Sequence, residues 1–249
     1  MGDQFAEARL KIDRANKHLS DLHTAVCALP DAYGSTIERD ANSGAQSIKY
    51  ELLGEEGIRQ NLALITGDCI HNLKTALDYA WIGAITRACP SASSKFSKFP
   101  VWASGTDLKA ALEGVEINLA SPRLFDLITA EIKPYQGGDD LLWSLHKLDI
   151  IDKHALLLPL THAAWIGNIG VEYPTGDIVE ATTGTATGPG PYYVPIFPAY
   201  KIKNNGKLSV EVIFNQGLPI DGAEITETLS LFSKLVSNVV QLLECVAAP

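Results

Sequence analysis

Two apolar seams at opposite ends of the chain constrain its fold most. Phe5, Ala8, Ile12, Ala15, Leu19, Leu22 and Val26 recur at alternating steps of three and four across residues 4–29. That repeat keeps one stripe on a helix and suits packing against a second helix nearly parallel to it. Pro30 ends the run. Ile225, Leu229, Phe232, Val236, Val239, Leu243 and Val246 make the second seam, and Leu231, Leu235 and Leu242 widen it. Asp221 and Glu224 give this helix a start resembling a capping box. A face so wide needs cover on more than one side. The terminal helices therefore share one bundle, or one of them forms a homodimer seam. His18 and His23 fall off the first seam and are read as solvent-facing.

Between the seams, apolar periodicity predicts helices over 57–88, 121–132 and 139–153, with a shorter one over 106–114. Ser121 is the expected N-cap of its helix, with Pro122 at the first helical position. Asp139 and Asp140 complement the positive end of theirs. The chemistry changes after residue 155. ALLLPLTHAAWI, NIGVEY, DIVEA, YYVPIF, AYKIK and LSVEVIF are short runs rich in β-branched and aromatic residues, punctuated as in antiparallel hairpins. Asn204-Asn205-Gly206 reads as a turn, and 182–191 as a flexible loop. The expected fold is one α+β domain over 1–249. Its helical part covers about 1–153 and 221–249, and a mostly antiparallel sheet covers about 155–215.

Composition narrows the function classes. The net charge of −9 argues against non-specific nucleic-acid binding, which runs on lysine and arginine. Cys27, Cys69, Cys89 and Cys245 form no CxxC pair. Cys27 and Cys69 are read as small hydrophobes. The start is charged and lacks an apolar core. The longest uncharged stretch, 155–171, carries Pro159, His162 and two glycines and reads as strands and turns, which points to a cytoplasmic protein away from membranes. Dinucleotide, P-loop, zincin and serine-hydrolase signatures do not occur.

One polar constellation remains. Within TGDCIHNLKTALDYAW, Asp68, His71, Thr75 and Asp78 share a helix face opposite Cys69, Leu73 and Ala76. Gly67, a mid-helix glycine, signals close packing or a break. Within LWSLHKLDIIDKHALLL, the stripe Leu141, Leu145, Leu148 continues to Asp152. A core-facing carboxylate needs a partner. That puts Asp152, Lys153 and His154 at the helix-to-sheet junction. Facing His71 and Asp78 across a bundle cleft, they form a catalytic set of His71, Asp78, Asp152, Lys153 and His154. Asp68, His71, Asp152 and His154 are the donors for a divalent metal ion. The competing readings are a solvated polar face and an Asp152 that only pins a neighbouring element. Trp81, Trp102, Trp143 and Trp165 are read as core with one lining a cleft, His162 as structural, and His146 as lying near the polar side of its helix.

GDCIHNLKTALDYAW and LLWSLHKLDIIDKHALLL resemble the two recurrent motifs of a bacterial protein family that reads GDxxHNLRxxLDHxxW and LxxLNxxDKHRxLL. FSKFPVW and IKPYQ fall where that family has a phenylalanine-proline and a proline-tyrosine segment. The resemblance covers most of the helical half and implies positions without a reaction: Asp68, His71, Asn72, Asp78, Asp152, Lys153 and His154 match. Lys74, Tyr79 and Ala155 stand where the family has arginine, histidine and arginine. The Lys74–Tyr79 spacing is also similar to the RxxxxH ribonuclease motif of HEPN domains. Lysine lacks the bidentate phosphate grip and tyrosine lacks imidazole chemistry, so that motif is degenerate here. Three functions are therefore open. The first is a hydrolytic or phosphoryl-transfer enzyme acting on a small molecule. The second is a HEPN-like RNA- or toxin-associated protein, and the third a non-catalytic binding or scaffold protein.

Overall fold

The computed structural model describes residues 3–88, 97–156, 161–182, 186–187, 190–215 and 217–247. Its helices are α1 (Gln4–Cys27), α2 (Glu55–Ala88), α3 (Gly105–Glu113), α4 (Ile117–Ala120), α5 (Pro122–Asp126), α6 (Asp140–His154) and α7 (Ile225–Val246). Its strands are β1 (Tyr33–Arg39), β2 (Gln46–Leu52), β3 (Thr161–Gly167), β4 (Ile169–Glu172), β5 (Ile178–Ala181), β6 (Ala186–Thr187), β7 (Tyr192–Ile196), β8 (Lys201–Ile202) and β9 (Lys207–Ile213). The fold is α+β, a helical bundle packed with antiparallel sheets.

Both terminal helices lie in the bundle, and both pack on α2 as well as on each other. They run antiparallel: Arg9 pairs with Glu244 at 2.8 Å and the Ser233 hydroxyl donates to Asn16 at 2.6 Å. Phe5, Ala8, Ile12, Ala15 and Leu22 of the first seam are buried, as are Ile225, Leu229, Phe232, Val236, Val239 and Leu243 of the last. The seams are thus used within the chain. Leu231 and Leu242, read as widening the buried face, are exposed. The last helix starts later than the Asp221 cap implied. Its cap is Glu224, whose carboxylate accepts from the Glu227 amide. His18 is buried and not solvent-facing as expected, since it faces inward beside Ala15 and Leu22, whereas His23 is exposed.

The helix over 121–132 begins as expected, with the Ser121 hydroxyl capping the Leu124 amide, but loosens into a π-helical turn over Leu127–Ile132. The larger correction concerns residues 33–52, placed by the sequence reading inside the helical part. They form the β1–β2 hairpin, with Tyr33 opposite Leu52 and Arg39 opposite Gln46. Asp40 closes its turn by accepting from the Asn42 and Ser43 amides and the Ser43 hydroxyl, which holds its carboxyl below the usual range.

The strands after residue 155 fall close to the expected runs. β2 sits between β1 and β7, β3 between β6 and β9, and β4 between β5 and β8. The β3–β9 and β4–β8 ladders belong to separate sheets, divided by a kink at Asn168 and Gly206, both at positive φ. The Asn204 side-chain oxygen bridges this kink by accepting from the Gly170 and Gly206 amides at 3.0 and 2.8 Å. A Cβ at Gly206 would lie 2.5 Å from the Gly167 carbonyl oxygen, so only glycine fits. The loop over 182–191 contributes the short strand β6, and part of it lies outside the described residues. Ile48, Tyr50, Ile166, Ile169, Val194 and their neighbours form a small sheet core. Val210, Val212 and Phe214, on and just after β9, belong instead to the large helical core.

Candidate functional site

α2 is buried around most of its circumference, which makes it the axis of the bundle. Its Lys74 side chain is only 6% exposed and pairs with Asp78 one turn later. Asp78 also accepts from the Phe99 amide at 2.8 Å, fixing the segment 97–102 beside the helix. The Trp102 amide donates to Pro134 at 3.1 Å, which anchors the other end of that segment. α6 packs on α2. On α6, Asp149 is buried and accepts from His71 Nδ1 at 3.2 Å and from Lys153.

These three elements enclose a cleft of about 490 Å³. α2 contributes Lys74 and Asp78, and α6 contributes His146, Asp149, Ile150, Lys153 and His154. The segment Ser97–Trp102 forms the third wall. Two lysine–aspartate pairs at helical spacing thus flank His146. Burial, and next the charge of Lys74, push the His146 imidazole down to about 4, against weaker opposite pulls from Asp149 and Asp78. At neutral pH it is uncharged. Nδ1 of His146 is buried with no hydrogen-bond partner among the described residues, and the residue lines the cleft.

Of the residues expected from sequence, Asp78, Lys153 and His154 line this cleft. His71 does not. It reaches Asp149 from the far side and its side chain is 54% exposed. Asp68 lies on the exposed face of α2. Asp152 packs over Gly67: a Cβ there would lie 2.5 Å from both Asp152 carboxylate oxygens. Neither Asp68 nor Asp152 lines the cleft, and among the described residues no three of His, Cys, Asp and Glu converge as metal ligands do. Lys74 and Tyr79, the HEPN-like pair, are divided: Lys74 lines the cleft and Tyr79 packs against the helical core.

Sequence reasoning missed Asp149, Lys98 and the use of His146. The signal for Asp149 was present, with Lys153 four residues on and Leu142 and Leu145 on the same stripe. The stripe through Leu141, Leu145 and Leu148 passes beside Asp149, and its first residue, Leu141, is exposed. Of the tryptophans, Trp81 is fully buried, Trp102 lines the cleft at 40% exposure and Trp165 is a surface residue. Cys69 is buried as expected, which raises its thiol to about 12, but Cys27 is exposed and faces His23 Nε2 at 3.6 Å. The His162 side chain and Cys89 lie outside the described residues. Comparison with protein-family models, with curated proteins and with solved structures gave no match.

Proposed function

We propose that the cleft between α2, α6 and the 97–102 segment is an acid–base active site for hydrolysis or phosphoryl transfer on a small molecule. One observation carries this reading: a neutral imidazole, His146, opens on the cleft between two lysine–carboxylate pairs. Nε2 of His146 takes the proton of an attacking water or hydroxyl, and His154 on the same wall is the second imidazole, placed to return a proton to the leaving group. Lys74 and Lys153 stabilise charge that grows on the reacting oxygens.

The pH profile tests the assignment. A base must be unprotonated, and His146 is held down at about 4 rather than 6.5. The acidic limb that His146 sets in turnover per substrate of the free enzyme therefore lies near 4 and not at 6.5. His146→Asn lowers turnover by about 10²- to 10⁴-fold above that limb. An acidic limb at 6.5 in the parent, or full activity in His146→Asn, removes His146 from the reaction.

A second reading is favoured by Lys74 alone, which occupies the arginine position of the RxxxxH pattern and lines the cleft. It makes the protein a HEPN-like, non-cleaving RNA or toxin binder. Retention of a short single-stranded RNA that Lys74→Ala abolishes would favour it over the enzyme.

A further inference from the structure

Hydrogen-bond supply in the cleft is lopsided. Both aspartates on its walls are already engaged, Asp78 by Lys74 and the Phe99 amide, Asp149 by His71 and Lys153. Each lysine ammonium carries three donors. Lys74 and Lys153 each have one salt-bridge partner, and Lys98 has none among the described residues. Donors therefore exceed acceptors, and three lysines stand against two aspartates in a molecule whose net charge is −9. The occupant that answers such a wall is an anion with several oxygens, and lysine is a common phosphate binder.

The 97–102 segment also brings an apolar surface to the cleft, next to Lys98. Phe99 and Pro100 are buried beneath it, while Trp102 keeps 40% of its surface exposed although its backbone is pinned to Pro134. An indole held open at a cleft is a stacking platform. The volume of about 490 Å³ is far more than a phosphate fills and lies within the range of organic ligands.

We infer that the cleft takes a phosphate monoester of a flat ring, its phosphate among Lys74, Lys98 and Lys153 and its ring against Trp102. This rests on the active-site reading of the same cleft and names its substrate class. Titration calorimetry on the whole protein tests it, with phenyl phosphate, inorganic phosphate and benzoate as probes. Phenyl phosphate is expected to bind roughly five- to hundredfold more tightly than inorganic phosphate, the range that ring stacking supplies. It should also outbind benzoate by a similar factor. Trp102→Ala removes the advantage of phenyl phosphate over inorganic phosphate and leaves inorganic phosphate binding intact. Lys98→Ala weakens both phosphates alike. Benzoate binding as tightly as phenyl phosphate overturns the phosphate assignment. So does a phenyl phosphate Kd above about 10 mM. An unchanged preference in Trp102→Ala overturns the ring assignment.

The two readings fail separately. Phenyl phosphate bound with the expected selectivity by a protein that turns over no phosphate ester supports the ligand class and removes the enzyme. Turnover of a neutral ester without phosphate binding keeps the enzyme and overturns the ligand class.

Discussion

At Gly67 two effects of opposite sign meet. A glycine inside a helix costs about 1 kcal/mol against alanine, so propensity alone favours replacing it. Yet a Cβ there would stand 2.5 Å from both carboxylate oxygens of Asp152. Alanine must push that carboxylate off its seat, an overpacking that costs roughly 1–3 kcal/mol. Gly67→Ala is therefore expected to destabilise the protein. In an Asp152→Ala background the obstacle is gone and the same substitution becomes stabilising by up to about 1 kcal/mol. Urea unfolding of the four proteins measures this, and equal losses in both backgrounds would disprove the contact. Each half of the pair was legible in the sequence, Gly67 as a close-packing signal and Asp152 as a carboxylate needing a partner. Their meeting was not, because it depends on the register of α6 against α2, which no local pattern encodes.

α6 carries a buried carboxylate whose two partners both reach solvent. Asp149 is 4% exposed at its side chain, whereas Lys153 and His71 are 47% and 54% exposed. The consequences of cutting this three-residue link are unequal. Asp149→Asn leaves a lysine and a histidine that water can solvate, so the loss is roughly 1 kcal/mol. His71→Ala with Lys153→Ala strands the carboxylate in the interior and costs about 3–5 kcal/mol. Thermal unfolding of the two variants checks the order, and a reversed order would mean that Asp149 is solvated. The same asymmetry explains why sequence reading drew the α6 stripe through Leu141. An aspartate on the alternative stripe, Leu142–Leu145–Asp149, looks polar until its partners are known. Lys153, four residues on, was visible, whereas His71 comes from a helix 78 residues earlier. The β1–β2 hairpin was half legible: β2 alternates Ile48, Tyr50 and Leu52 inward, but β1 buries none of its residues, so no second strand showed beside it. The strands of the second half were legible because Gly, Pro and Asn separate runs of β-branched and aromatic residues.

For the whole molecule, the sequence charge and the cleft charge have opposite signs, and ionic strength separates them. A protein this size has a radius of about 20 Å, which is taken as the distance over which its net charge acts on a ligand at its surface. At about 10 mM salt the net charge of −9 opposes each charge of an incoming anion by about 1 kcal/mol. The one excess positive charge on the cleft walls, at about 5 Å, returns about 0.7 kcal/mol. At about 150 mM the long-range repulsion shrinks to about 0.2 kcal/mol, while the short-range attraction keeps about 0.4. Screening thus favours binding by about 0.5 kcal/mol per ligand charge, or roughly sixfold for a dianion. Phenyl phosphate should therefore bind more tightly as sodium chloride is raised from 10 to 150 mM. A nucleic-acid strand held by surface lysines would behave oppositely, because salt opposes the counterion release that drives its binding. A calorimetric salt series run on phenyl phosphate and on a short single-stranded RNA puts the two in direct competition. Affinity for phenyl phosphate that falls steeply with salt would place the ligand on an extended basic surface and not in the cleft.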